Sequence, residues 1–123
     1  MKVLIAAFTL ACTTLLAHAQ AQAQGWPGDR PVTLIVPFPP GGTTDSVART
    51  LANRLPAKLG GGIFVVQNTP GAGGTLGTAV AKRASPDGHT VLVTSLGPLV
   101  IGPHLKSGLG YDPLKDFDFL SVL

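Results

Sequence analysis

The chain of 123 residues is poor in cysteine, in charged side chains and in aromatic side chains. Its one cysteine, Cys12, lies in the apolar N-terminal stretch, so the rest of the chain has no disulfide, thiol nucleophile or thiolate metal ligand. Glutamate is absent, and only 12% of the residues are charged. His89 and His104 stand apart from the His, Cys or carboxylate partners that a metal site needs. We therefore predict no metal site and no cofactor, and we interpret both histidines as surface or turn residues.

The basic residues are too scattered for a nucleic-acid-binding protein. Nine Lys and Arg give a formal net charge of +3, but no basic run is longer than Lys82-Arg83. Nucleic-acid binding generally uses a dense basic face with aromatic side chains that stack on bases. The dispersed aromatics and the mild positive charge exclude nucleic acid as a partner and favour, at most, a small anionic ligand.

Glycine and proline are abundant and confined to the region after the N-terminal stretch. The 16 Gly and 11 Pro all lie at or after Gly25, where they make up about 27% of the residues. Such a share often marks low complexity, but these residues alternate with compact apolar runs at 32–36 and 90–93. The pattern predicts short strands and helices joined by tight turns. A stretch of this length is one small domain at most, which excludes a complete two-domain enzyme or receptor.

The N-terminus has the pattern of a secretory signal peptide. Lys2 precedes an uncharged, mostly apolar stretch (3–17), and small-x-small sites follow from Ala17 to Ala23. As a helix, that stretch would span only about 22 Å, short of the ~30 Å core of a bilayer. We predict a signal peptide at 1–23, cleaved between Ala19 and Gln24, a periplasmic location, and an α/β lobe at 24–123.

The rest of the chain reads as repeated strand, loop and helix. Leu34-Ile35-Val36 with its flanks predicts a buried strand, followed by a loop at 38–44. Asp45 predicts an N-cap, and apolar residues at helical spacing predict a helix toward Leu59 that is kinked or ends near Leu55 because of Pro56.

A second unit follows the same order. It comprises a predicted strand at 63–66, a loop at 68–74 and a helix at 75–84. A third strand is predicted at 90–94 with a loop at 95–98, then a short helix within 99–106 and a strand at 117–123. Alternating strands and helices predict an α/β fold of parallel βαβ units.

Three loops are expected to meet at one edge of this sheet. The carboxyl ends of parallel strands carry the loops at 38–44, 68–74 and 95–98, and ligands of open α/β sheets bind at that edge. The first two loops run into helix N-termini, whose free N–H groups attract carboxylate or phosphate. Thr43, Thr44, Thr75 and Ser95 can add hydroxyl contacts. The residues alone leave two interpretations open: an anion site, or glycines that only make tight turns.

Two polar residues beside these loops have both a structural and a functional interpretation. Asp45 either caps the helix or contacts a ligand, and the cap is favoured because a carboxylate repels an anionic ligand. Asn68 either contacts a ligand or braces its own loop as an Asx turn.

The common catalytic motifs do not fit. Neither glycine loop contains the Gly-Lys-Ser/Thr of a P-loop, and Leu76 stands where a dinucleotide fingerprint needs its third glycine. The segment around Ser95 (93–97) lacks the first glycine of a nucleophile elbow, and Ser95 has no evident His and acidic partner. We therefore expect a binding protein rather than an enzyme.

Five motifs, in order, resemble the Bug-type periplasmic solute-binding receptors of tripartite tricarboxylate transporters. The motifs are Trp26-Pro27 with Arg30-Pro31-Val32, the stretch 35–45, the stretch 68–74, Pro86-Asp87-Gly88-His89-Thr90, and the stretch 111–117. The resemblance covers essentially the whole chain after the predicted signal peptide.

The resemblance implies a two-domain clamshell that captures a small carboxylate for integral-membrane transporter subunits. It also implies that the first two glycine loops hold the ligand carboxylate. The positions that it implicates are Phe38, Gly41, Gly42, Thr43, Ala72, Gly73, Gly74 and Ser95.

Members of that family run to roughly three hundred residues, so we expect this chain to be the first part of the first domain. Two other classes stay open: a fragment of a secreted α/β enzyme or nucleotide-binding domain, and a short secreted interaction module.

Overall fold

Three parallel strands form the centre of the fold. The structure, a computed structural model, describes residues 25–123, so the predicted signal peptide lies outside the described residues. The strands are β1 (Val32–Val36), β2 (Phe64–Asn68) and β3 (Thr90–Leu92), in the order β2-β1-β3. Both pairings are parallel, with Val32 opposite Phe64 and Thr33 opposite Thr90. The predicted parallel α/β fold is confirmed.

The central strand β1 is the apolar run that the sequence marks most clearly. Val32 and Val36 are fully buried, and Leu34 and Ile35 are nearly so, as expected for a parallel strand with neighbours on both sides. The edge strand β2 alternates between half-buried and exposed residues. It begins one residue later than predicted and extends to Asn68, because Gln67 and Asn68 pair with the last two residues of β1.

Helix α1 (Thr43–Leu59) follows β1 and begins before Asp45. Its N-cap is Gly42, so the prediction that Asp45 is the N-cap residue is wrong: Asp45 lies in the first turn. The predicted end near Leu55 is also wrong, because the helix continues through Pro56. Pro56 has no N–H to donate within the helix, but three further residues keep the helical conformation before Gly60. Gly60, in the left-handed conformation at φ +76°, ends the helix as expected.

Helix α2 (Thr75–Lys82) follows a 3-10 turn at Ala72–Gly74 and is two residues shorter than predicted. It packs on β1 and β3, whereas α1 packs on β1 and β2. Gly77 permits the close approach of α2 to the end of β1, since a Cβ at this position would lie 2.5 Å from the carbonyl oxygen of Thr69 and 2.8 Å from Pro37 Cα.

Strand β3 ends at Leu92, although the Val93 N–H still donates to the Ile35 carbonyl at 2.9 Å. A π-helical turn at Gly97–Ile101 and helix α3 (Gly102–Leu105) occupy the region where a short helix was predicted. The strand predicted at 117–123 is wrong, because none of the described strands pairs with this segment and a strand needs a neighbour for its backbone groups.

Within residues 25–123, no helix is both long enough and apolar enough to cross a membrane.

Candidate functional site

The loops that follow the three strands meet at the carboxyl edge of the sheet. We call them the first loop (38–44), the second loop (68–74) and the third loop (95–98). Gly74 of the second loop lies between the other two. A Cβ on it would be 2.6 Å from Pro98 Cγ and 3.1 Å from Phe38 Cζ. Gly74 also has φ +92°, so both its conformation and its surroundings require glycine. The predicted meeting of the three loops is thus present.

An open cavity of about 550 Å³ lies against the first loop. Most predicted ligand-binding positions line it, together with two prolines and Thr44, and the full lining is Phe38, Pro39, Pro40, Gly41, Gly42, Thr43, Thr44 and Ser95. The second loop does not line this cavity. The structure therefore brings five predicted positions together (Phe38, Gly41, Gly42, Thr43 and Ser95) and leaves Ala72, Gly73 and Gly74 beside them.

The first residues of α1 line this cavity, and their backbone N–H groups are potential donors. The N–H groups of the first helical turn have no intrahelical acceptor, and the aligned peptide dipoles place partial positive charge there. Among residues 25–123, nothing accepts a hydrogen bond from the N–H of Gly42, Thr43 or Thr44. The hydroxyls of Thr43 and Ser95 belong to exposed residues. This cluster of donors is suited to an anion.

One backbone donor of the second loop is already paired. The Gly74 N–H donates to the carbonyl of Gly71 at 2.9 Å and is therefore already paired. Ala72 and Gly73 have positive φ values of 50° and 70°, and a Cβ on Gly73 would meet nothing within 4 Å. Ligand contacts from Ala72, Gly73 and Gly74 stay a prediction.

Asp45 lies directly behind the first loop, and its carboxylate accepts three hydrogen bonds. Its Oδ2 accepts from the Gly41 N–H at 2.8 Å and from Arg49 Nε at 2.9 Å, and its Oδ1 accepts from Asn68 Nδ2 at 2.9 Å. The residue is only 3% exposed. These contacts favour the structural interpretation of Asp45 over a direct ligand contact.

The hydrogen bonds also set the protonation state of this carboxyl group. The Arg49 guanidinium, followed by the Gly41 amide and the Asn68 side chain, holds the pKa of Asp45 well below its ordinary value. Asp45 is therefore a carboxylate at neutral pH, and Arg49 pairs with its charge.

Asn68 braces the first loop rather than its own. Its Nδ2 donates to the carbonyl of Phe38 at 3.1 Å as well as to Asp45, and its Oδ1 accepts from Arg49 Nη2 at 3.3 Å. The sequence predicted either a ligand contact or an Asx turn for Asn68. The structure instead shows Asn68 holding the first loop through the Phe38 carbonyl.

Sequence reasoning missed two residues that hold these loops. In the sequence, Arg49 is one of the scattered basic residues, and its i,i+4 spacing from Asp45 on a helix is the signal that indicates an ion pair. Tyr111 is buried, and its hydroxyl donates to the carbonyl of Pro98 in the third loop at 2.6 Å. No local sequence pattern connects Tyr111 with Pro98, because the contact is tertiary.

Neither His89 nor His104 belongs to a metal-binding cluster within residues 25–123. His89 is more buried than a surface residue, since its ring packs near Trp26 and its Nε2 lies 3.2 Å from the carbonyl of Pro27. His104 is exposed. Across residues 25–123, no group of three or more His, Cys, Asp or Glu side chains is placed to hold a metal ion.

A glycine loop that lines a cavity at the carboxyl edge of a parallel sheet is typical of ligand-binding α/β domains. The family profile described as tripartite tricarboxylate transporter family receptor matches residues 47–123, and the chain belongs to this family. The Bug-type resemblance is thereby confirmed.

Similar proteins agree in sequence and in structure. The chain is 41% identical to Protein BugT of Bordetella pertussis over 124 aligned residues, which cover 100% of the chain and 37% of BugT. The structure of the periplasmic binding protein BugD shares 45% identity with a TM-score of 0.67, over 72% of this chain and 29% of that one. MatC from Rhodopseudomonas palustris, with bound malate, shares 43% identity with a TM-score of 0.66, over 72% and 30% of the two chains. The chain thus spans little more than a third of the length of BugT.

Proposed function

We propose that this chain is the first part of a periplasmic solute-binding receptor that captures a small carboxylate. Its family is one of transporter receptors, and MatC, a relative with the same fold, has bound malate. The observation that carries the proposal is the α1 N-terminus. Gly42, Thr43 and Thr44 line the cavity, and the hydrogen bonds of the described residues include no acceptor for their N–H groups.

The charges around the cavity support an anionic ligand. None of the lining residues is acidic. The nearest carboxylate described, that of Asp45, is buried and paired with Arg49. A helix N-terminus in such surroundings attracts a carboxylate, whereas a neutral ligand of the same shape gains much less.

The proposal extends to the organisation of the whole protein. Residues 1–23 are the signal peptide, 24–123 belong to the first lobe of a clamshell, and the loaded receptor delivers its ligand to membrane subunits of the transporter. The chain acts as a receptor and not as an enzyme. N-terminal sequencing of the exported protein tests the leader, and a first residue outside 20–24 would contradict it.

Saturation-transfer NMR with malate and its diamide tests the proposed ligand class. The two compounds have the same carbon skeleton, but only malate carries carboxylates. We expect saturation to pass from the 123-residue chain to malate and not to the diamide. Equal transfer to both compounds, or transfer to the diamide alone, would contradict carboxylate recognition.

A further inference from the structure

Three side chains form a closed network behind the first loop. Asp45 accepts from Arg49 and Asn68, and Arg49 also donates to Asn68, so each of the three contacts the other two. The network lies outside the cavity lining, so the proposed ligand contacts do not include it.

The network fixes both ends of the segment from Phe38 to Gly41. Asn68 holds the Phe38 carbonyl at one end, and Asp45 holds the Gly41 N–H at the other. The cavity-lining amides of Gly42, Thr43 and Thr44 follow directly after this segment. Their direction therefore depends on the two backbone contacts.

The charge of Asp45 would oppose an anion in the cavity if it were not compensated. Asp45 is two residues from Thr43, and at such short range a full negative charge strongly disfavours a carboxylate. Arg49 Nε lies 2.9 Å from Asp45 Oδ2, and the Arg49 side chain is 52% exposed. The guanidinium thus compensates the carboxylate from the solvent side without entering the cavity.

We infer that Arg49 and Asn68 are positioning residues of the anion site: Arg49 cancels the charge of Asp45, and Asn68 holds the first loop in place. This inference rests on the proposed function. The electrostatic effect of Arg49 and the geometric effect of Asn68 on ligand affinity can be measured separately.

The experiment compares Arg49→Gln and Asn68→Ala in the 123-residue chain. Malate affinity is measured from backbone amide shifts at low and high salt. Arg49→Gln leaves the Asp45 charge uncompensated, and we expect affinity to fall roughly three- to tenfold at low salt and less at high salt, because salt screens the repulsion. Asn68→Ala removes no charge, and we expect a loss that changes little with salt.

Arg54→Gln is the matched control, because it removes the same charge from an exposed position of the same helix. We expect it to change malate affinity less than twofold. Equal losses in Arg49→Gln and Arg54→Gln would overturn the role of Arg49, and an Asn68→Ala chain with unchanged affinity would overturn that of Asn68. Both results leave the proposed function intact. Absence of malate shifts in the unsubstituted chain would instead overturn the proposed function, and this inference with it.

Discussion

Asp45 shapes the first loop because its carboxylate accepts hydrogen bonds from three separate parts of the chain. The donors are the Gly41 amide before the helix, Arg49 one turn along it, and Asn68 at the end of β2. An acidic side chain in the first turn of a helix is favourable in general, because it faces the positive end of the helix dipole. Here the same carboxylate also joins the first loop to the end of β2.

The hydrogen bonds of Asp45 make the stability of the chain depend on pH. Because the pKa of Asp45 is lower in the folded chain than in the unfolded one, its stabilising contribution is present above the unfolded value of about 4. The contribution is lost as pH falls through the lowered folded-state pKa. We expect Asp45→Asn to reduce the difference in urea midpoint between pH 7 and pH 3.

Asp118→Asn is the control, because it removes a carboxylate from an exposed position of the same chain. An unchanged pH dependence in Asp45→Asn would show that the ionisation of Asp45 does not contribute to the pH dependence of stability.

At the scale of elements, the close packing of α2 on the end of β1 places the second loop beside the first. Gly77 lies at this crossing, and Pro37 and the Thr69 carbonyl occupy the space next to it. The buried Thr78 follows Gly77, and its hydroxyl donates to the Gly74 carbonyl at 2.9 Å, which ties the helix to the second loop. The position of the second loop therefore depends on a contact that admits no side chain at residue 77.

We expect Gly77→Ala to destabilise the chain even though alanine is the better helix former. The gain in helix propensity is about 1 kcal/mol, whereas overpacking against backbone atoms typically costs about 1–3 kcal/mol. Urea unfolding measures the difference. Gly97→Ala is the control, because a Cβ there meets only Ser95 Oγ at 3.7 Å. A Gly77→Ala chain as stable as the Gly97→Ala chain would show that α2 can move away from β1 at little cost.

Local patterns predicted the elements better than their ends. The apolar run of β1 and the alternation of strands and helices sufficed for the parallel fold, because burial on both faces leaves a clear signal. The end of α1 lies beyond Pro56 and not near Leu55, because the loss of one backbone donor does not end this helix. The segment at 117–123 is apolar enough for a strand. It forms none, because no described strand pairs with it.

At the scale of the whole molecule, the described cavity is lined by residues on one side only and is otherwise open to solvent. Its lining comes from the first loop and Ser95, and most of these residues are exposed to solvent. The position of the loops followed from topology, so the sequence predicted that the three loops meet at one edge of the sheet. It could not predict the Asn68 brace or the Tyr111 anchor, because both join residues from separate parts of the chain.

We expect the 123-residue chain to bind malate only weakly, because a carboxylate at an open wall keeps much of its hydration and gains few contacts. A dissociation constant near the millimolar range corresponds to about −4 kcal/mol. Isothermal titration calorimetry measures it. Binding in the micromolar range or tighter would show that this part of the receptor is sufficient for capture.

The central claim is that the N-terminus of α1 holds the carboxylate, and amide chemical-shift mapping with malate tests it most directly. We expect the largest shifts at the N–H groups of Gly42, Thr43 and Thr44, and little change at Gly41 and Gly74, whose N–H groups are already paired. Largest shifts at another part of the chain, with Gly42 to Thr44 unchanged, would contradict the claim.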